Sequence, residues 1–529
     1  MKNQTIMDDL LRVIRDNSSS ITSNKDKRGL FAFFAIYLIS WTLLAILLPL
    51  APELDNIEQV VWSQSWQWGY HKHPPLPSAL LHALNILFGG PSMGLTALAA
   101  QSCSVIGLIY IWLLAKQMLS GKMAITAVLI TSLIAYHNFR AFAFNHNTVS
   151  LPFTAAALYY FYSALKNPAR ISNWLLLGLV CGLAMVTKYS IVLVLASFFI
   201  YSIWQRLWTD SRVLRGLLIS SSVFVLVISP HVVWLAENNW LPFTYLHDKL
   251  TVSENRLSIL TGFLGSQIIR LSFMLPMLFG VWYLSKKGVI KIMTTKSSKL
   301  PEDDHDLGFL LTVLLTPLIL AMMMPVLTGG PLNSNWVSAF FLPAGILITK
   351  YFFHRFDEDQ LLKYASWLTW LTQALILIFF FLAAVTYPTW VGSAARLNFP
   401  SQALANKVDQ IWHEQQKQPL TIVISDYWTG GNVLLHVRPE PTLLIDNIPE
   451  ESPWVNTHDV AACGAFVLML KTATTPEAYA ILFSQAAVKG EFSLNWGHPP
   501  RGKVLPYVWA IIPPIPGAPA CQFIKLADN

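Results

Sequence analysis

The chain has 529 residues, of which 54% are hydrophobic and only 12% are charged, about half the charged share of a soluble globular domain. Its 20 Trp and 30 Phe are the aromatic load of a protein that meets lipid and two water interfaces. The formal net charge of +7 is scattered through short loops rather than gathered in a basic domain, which excludes nucleic acid as a partner.

Residues 1–29 are a polar leader, and MDDLLRVIRDN within it reads either as a disordered tail or as a short amphipathic helix on the cytoplasmic surface. Eleven apolar stretches follow, at roughly 30–50, 93–115, 123–142, 149–165, 172–187, 189–205, 214–234, 262–284, 307–327, 336–350 and 363–386. Each approaches the about 20 residues a helix needs to cross a bilayer. The first is too long, and too far from the start, for a cleaved signal peptide. Lys and Arg concentrate in alternate connections (1–29, 116–122, 166–170, 206–215, 286–299 and 350–363). By the positive-inside rule the amino terminus is then cytoplasmic. The 51–81 loop and everything beyond residue 388 face outward. The expected architecture is a polytopic α-helical membrane domain over 30–387, with about eleven transmembrane helices, and an outward α/β domain over 388–529.

The first outer loop, PELDNIEQVVWSQSWQWGYHKHPPLPSALL over residues 52–81, is the densest cluster of chemistry. It gathers Asp55, Glu58, Trp62, Trp66, Trp68, Tyr70, His71, Lys72 and His73 directly after an apolar span. Ionisable groups are costly at a membrane boundary and invite a functional reading; the tryptophans alone read as interface anchors. Other polar span-ends fall on the same outward face. HNFRAFAFNHNT (137–148) supplies His137, Asn138, Arg140, Asn145, His146 and Asn147. TKYS (187–190) supplies Lys188 and Tyr189, SPHVVWLAENNW (229–240) supplies His231, Glu237 and Asn238, and GGPLNSNW (329–336) supplies Asn333, Asn335 and Trp336. Singly, each is a snorkelling or hydrogen-bonded surface residue. Jointly, they predict one cavity. Asp55 and Glu58 are the candidate general bases. Lys72, His73, Arg140, Lys188, Tyr189, Asn145, His231 and Asn335 are the candidate groups for an anionic substrate. Apolar walls suit a long isoprenoid or acyl tail, so a lipid-linked sugar phosphate matches the inventory.

In the tail, residues 419–425, 442–446, 465–471 and 505–516 read as strands, TGGNVLLHV between the first two as a short helix or turn, and TTPEAYAILFSQAA as a helix opened by a Thr cap and an early Pro. The tail reads as a lid, an acceptor-docking domain or structural support. Cys463 and Cys521 both lie in it, where an oxidising compartment permits a bridge. No cysteine spacing of metal-binding type occurs.

The order Asp55–Asn56, Trp62–Ser63, GYHKHPPL (69–76) and TKY (187–189) resembles bacterial members of the dolichyl-phosphate-mannose-protein mannosyltransferase superfamily. These include enzymes that decorate lipid A and lipopolysaccharide core with aminoarabinose or galacturonic acid. The resemblance implies the GT-C fold, a catalytic first outer loop, a polyprenyl (undecaprenyl) phosphate sugar donor, a glycolipid or other envelope acceptor, and residence in the bacterial inner membrane with a periplasmic tail. It implies an inverting displacement with Asp55 as general base or acceptor-orienting group, His73 near the phosphate or acceptor, and Lys188 pairing with the donor phosphate. The family usually has an acidic pair in this loop. Here Asn56 holds the second position and Glu58 follows two residues on, which counts against a strict double-acid or metal-dependent mechanism. No cofactor is implied, and divalent-metal dependence stays open. A transporter or flippase of lipid-linked sugars is the alternative, and an assembly subunit a third reading. Against transport stand the absence of a visible inverted repeat and the one-sided placement of the polar groups.

Overall fold

A computed structural model describes residues 23–250, 255–293, 305–391, 394–471, 476–486, 488–496, 503–515 and 521. The leader reading therefore lies outside the described residues for positions 1–22. The first span is the helix Asn24–Leu47, opened by Ser23, whose hydroxyl accepts from the Asp26 amide. One face buries Leu30, Phe33, Phe34, Tyr37 and Trp41, while Phe31, Ile36, Ile39 and Leu43 on the other are exposed. A helix apolar all round, with half of it facing outward, has lipid as its solvent.

Six described helices are long and apolar enough to cross a membrane: Asn24–Leu47, Met93–Met118, Ser211–Glu237, Arg256–Lys286, His305–Thr328 and Glu358–Ala384. The chain is a multi-pass membrane protein. The other five expected stretches are helical but fall short of that test. The third breaks after Ser132 and turns by 89° into Ala135–Phe142, giving a seventh candidate if the bent pair is one span. The fourth is His146–Lys166, the fifth and sixth are Ile171–Met185 and Val192–Trp204, and the tenth is a 3-10 stretch, Ser334–Phe341, followed by Ala344–Phe352. The broken backbone has a physical logic. Irregular chain at membrane depth is tolerated only inside protein or beside water, and both broken stretches line the cavity described below.

Close packing of the bundle relies on small residues. Gly178 lies against the Ser220 carbonyl, where an added Cβ would approach to 2.4 Å, and Gly216 lies against the Trp174 ring.

The tail forms a five-stranded mixed sheet from β1 (Ile422–Ser425), β2 (Thr442–Ile445), β3 (Ala465–Leu470), β4 (Val488–Trp496) and β5 (Lys503–Ile512), in the order β2-β1-β3-β5-β4. β1 pairs parallel with β2 and β3, and β5 pairs antiparallel with β3 and β4. The four strands expected from sequence are present. β4 was not expected: as an edge strand it alternates half-buried with exposed positions and lacks the apolar run of its neighbours. The helix Tyr427–Leu434 fills the TGGNVLLHV stretch. The helix Glu477–Gln485 takes Pro476 as its N-cap with no side-chain cap bond; the threonines expected to cap it lie outside the described residues. Cys463 and Cys521 are bridged, closing 58 residues.

The sheet domain is fused to the loop of residues 52–81. Ile57, Val61, Trp62 and Tyr70 of the loop share one apolar cluster with Phe399, Leu404, Val433, Leu434 and Leu443 of the tail. Gly431 allows the approach, because a Cβ there would come within 2.3 Å of Ile57. Gln64 adds a bond to the Pro441 carbonyl (2.9 Å) and accepts the Leu443 amide (3.1 Å).

Candidate active site

Beneath this junction lies a polar cavity of about 290 Å³, at the small end of the range for ligand pockets. Four segments build it. The first is the start of the helix Leu54–Trp62. Glu53 holds its N-cap position without making a side-chain capping bond, and Asp55 sits in its first turn. Both carboxylates line the cavity.

The second segment is the broken end of the third span, with Tyr136, Phe139 and Arg140. Tyr136 is fixed from behind: its hydroxyl accepts from Arg270 (2.7 Å) and bonds to Gln267 (2.8 Å). The third is the start of the helix His146–Lys166. Asn145 caps it by accepting from the Asn147 and Thr148 amides at 2.9 and 3.0 Å. That geometry turns the Asn145 side-chain NH₂ toward the Asp55 carboxylate, 3.5 Å away, and aims the positive end of a helix dipole at the cavity. The fourth is the stretch after residue 330, with Asn333, Asn335 and Ser338. Asn335 Oδ1 and Ser338 Oγ are buried and lack a partner among the described residues. Such groups cost free energy unless a ligand satisfies them. Arg396, from the link between the last long helix and the sheet domain, completes the wall.

The electrostatics are mixed. Burial raises the Asp55 carboxyl above its ordinary range, while Arg396 first, then Lys72, Lys188 and Arg140, pull it back down. Burial and the nearby Asp55 raise Glu53, which Arg140 and Arg396 lower. Two carboxylates therefore face two guanidinium groups across a recess of amides and hydroxyls. Among the described residues no three His, Cys, Asp or Glu side chains converge as metal ligands.

The family model for dolichyl-phosphate-mannose-protein mannosyltransferase matches residues 72–234. The lipopolysaccharide core galacturonosyltransferase RgtA of Rhizobium johnstonii is 23% identical over 429 residues, 78% of this chain and 81% of that protein. RgtB of the same organism is 23% identical over 241 residues, 44% of this chain and 47% of its own. Among solved structures, ArnT from Cupriavidus metallidurans bound to undecaprenyl phosphate superposes with a TM-score of 0.54 at 12% identity, covering 90% of this chain and 98% of ArnT. The chain is a GT-C glycosyltransferase.

The sequence-named residues of this glycosyltransferase divide into two groups. Asp55, Arg140, Asn145 and Asn335 line the cavity, as do Asn147 and Asn333 from the same polar span-ends. The rest stand outside it, tied to protein. Glu58 forms an ion pair with Lys72 at 2.6 Å, and the Lys72 ammonium lies 4.7 Å from the Tyr427 ring centroid. Both belong to the junction with the sheet domain. His73 packs against His146 with ring centroids 4.0 Å apart and planes tilted by 35°, and meets the Trp62 ring edge-on. Burial pushes its pKa down to about 3, with Lys188 and Lys72 adding to the effect, so it is a neutral packing group rather than a cation. His231 Nδ1 bonds to the Trp68 carbonyl at 2.6 Å and its Nε2 to Tyr189 at 3.0 Å. That pair straps the loop to the helix Ser211–Glu237, and Gly69 packs against Trp234 beside it. The Lys188 ammonium bonds to Asn147 Oδ1 and to the carbonyls of Asn335 (3.4 Å) and Trp336 (3.3 Å). An ammonium has three donors, and protein oxygens take all three.

Asn56, at the family's second acidic position, points away from the cavity and bonds to Thr96 at 3.1 Å. The second carboxylate of the cavity is Glu53, two residues before Asp55. Glu53, Tyr136, Thr148, Ser338 and Arg396 line the cavity but were not named from sequence. Glu53 had a visible signal, an acid immediately ahead of a helix start. Arg396 had none.

Proposed function

We propose that this glycosyltransferase moves a sugar from a polyprenyl-phosphate donor, of the undecaprenyl class, to an envelope glycolipid such as lipid A or lipopolysaccharide core, at the periplasmic face of the bacterial inner membrane. The observation that carries this reading is the cavity itself, where Asp55 faces Arg140 beneath a membrane-boundary loop in a GT-C fold. The names of its relatives favour a lipopolysaccharide acceptor and an acidic sugar, and undecaprenyl phosphate in ArnT favours the donor lipid.

In the proposed step the Asp55 carboxylate takes the proton of an acceptor hydroxyl. The oxygen attacks the anomeric carbon from the face opposite the phosphate, the bond from that carbon to the phosphate oxygen breaks, and polyprenyl phosphate leaves with the electron pair. The configuration inverts. Arg140 offsets the charge on the leaving phosphate as a charge-assisted donor. Asn145 holds the carboxylate, and Asn335 and Ser338 are free to meet sugar hydroxyls. For a phosphate acceptor no proton need be removed, and Asp55 orients it.

The test supplies purified protein in lipid nanodiscs with undecaprenyl-phosphate galacturonic acid and lipopolysaccharide. Release of undecaprenyl phosphate together with a heavier acceptor supports the reading, and loss of both in Asp55→Asn assigns the base. Movement of donor across the bilayer without sugar transfer overturns it in favour of a flippase. Mass spectrometry of envelope lipids from a deletion strain names the sugar and acceptor together.

A further inference from the structure

Four of the five cationic side chains expected to hold the donor phosphate are engaged elsewhere, His231 among them through Trp68 and Tyr189. Lys72 is paired with Glu58, Lys188 spends its donors on protein oxygens, and His73 is neutral inside an aromatic cluster. Arg140 remains. The cavity has one more guanidinium, on Arg396; among the described residues it makes no hydrogen bond or ion pair, it lies 5.9 Å from the Trp428 ring, and its charge acts on the Asp55 and Glu53 carboxylates that share the cavity.

The backbone around Arg396 is fixed by unusual effort. Trp496, on edge strand β4, donates its indole N–H to the Ala395 carbonyl (2.9 Å) and to Asn398 Oδ1 (3.0 Å). Leu50, at the end of the first span, donates its amide to the Leu397 carbonyl at 2.7 Å. Phe399 packs against Trp428 and Trp496, with ring centroids 5.0 and 5.3 Å away. The membrane domain and the sheet domain thus clamp one short segment from both sides, and that segment presents a free guanidinium to the cavity.

Building on the polyprenyl-phosphate reading, we propose that Arg396 contacts the phosphate of the lipid-linked donor, and that Trp496 of the sheet domain is the positioning residue that holds it there. A guanidinium suits this task because it is always charged and its planar fork matches phosphate oxygens. The sheet domain is then part of the donor site, not a cover over it.

Binding of undecaprenyl phosphate to the full chain in nanodiscs, with uncharged undecaprenol as the control ligand, tests the proposal. Expected is at least a tenfold loss of undecaprenyl phosphate affinity in Arg396→Ala at unchanged melting temperature, with undecaprenol binding unaltered. Arg396→Lys recovers part of the loss, and Trp496→Phe, which cannot donate to Ala395, falls between. Wild-type affinity in Arg396→Ala, or equal losses for both ligands, overturns the inference alone. Failure of the wild type to bind undecaprenyl phosphate overturns the polyprenyl-phosphate reading beneath it.

Discussion

Asp55 opens into the cavity yet lies in a recess that raises its carboxyl above the ordinary range. A base works in its ionised form, so transfer is lost as pH falls through a value above the about 4 typical of a free aspartate. The acid limb of the kcat/KM profile should therefore lie higher than for an exposed carboxylate. Arg396 is the largest influence pulling that value down, so Arg396→Gln should move the limb to still higher pH. Asp55→Asn should cost about 10²–10⁴ in turnover. The linkage has the opposite sign for stability. The native state favours the protonated form, so the stability linked to Asp55 is greatest below the unfolded-state pKa and declines as pH rises; Asp55→Asn should hold or raise the melting temperature. Glu58→Gln should reduce transfer far less, because Glu58 meets Lys72 and not the cavity. Lys188→Met leaves three oxygens without their donor, and each unsatisfied group costs about 1–3 kcal/mol. A lower melting temperature, with undecaprenyl phosphate affinity kept in the folded fraction, is the expected result; selective loss of that affinity would make Lys188 a phosphate ligand after all.

At the scale of elements, helix ends and breaks make the site. The N-cap turn of Leu54–Trp62 supplies both carboxylates, the cap of His146–Lys166 supplies Asn145, and the 89° break after Ser132 brings Arg140 in from the third span. The polar run 137–148 was legible in sequence as out of place in lipid, while the bend was not, because apolar content looks the same in a straight span and a broken one. The helix Tyr427–Leu434 lies against Leu54–Trp62 through Gly431. Gly431→Leu should wedge the sheet domain off the loop. Faster proteolysis of the 394–400 link and a fall in transfer, with the membrane helices still folded, would show it. Unchanged protease resistance and activity would mean that the contact is dispensable.

For the whole molecule, the charge bias of the loops predicts that the sheet domain faces outward. Ser484 is exposed on the helix Glu477–Gln485, so Ser484→Cys should react with a membrane-impermeant maleimide in intact spheroplasts. Labelling only after lysis would reverse the topology. The Cys463–Cys521 bridge closes a long loop, and bridges of this kind contribute about 2–4 kcal/mol. Cys463→Ser should lower the melting temperature of the sheet domain and leave the membrane helices in place.

Composition alone made this a membrane protein, because a chain so poor in charge and so rich in long apolar runs has no other stable solvent. Loop position and residue type marked Asp55, Arg140, Asn145 and Asn335, since polar groups at span ends need a reason that local sequence can show. Which cations stay free was decided only by tertiary structure. Lys72, His73 and Lys188 look equivalent to Arg140 along the chain, but an ion pair, an aromatic cluster and a ring of carbonyls each satisfy one of them. Glu53 and Arg396 became site residues for the converse reason: the chain brings a helix cap and a distant linker to one recess, and that proximity is written in packing, not in any local pattern.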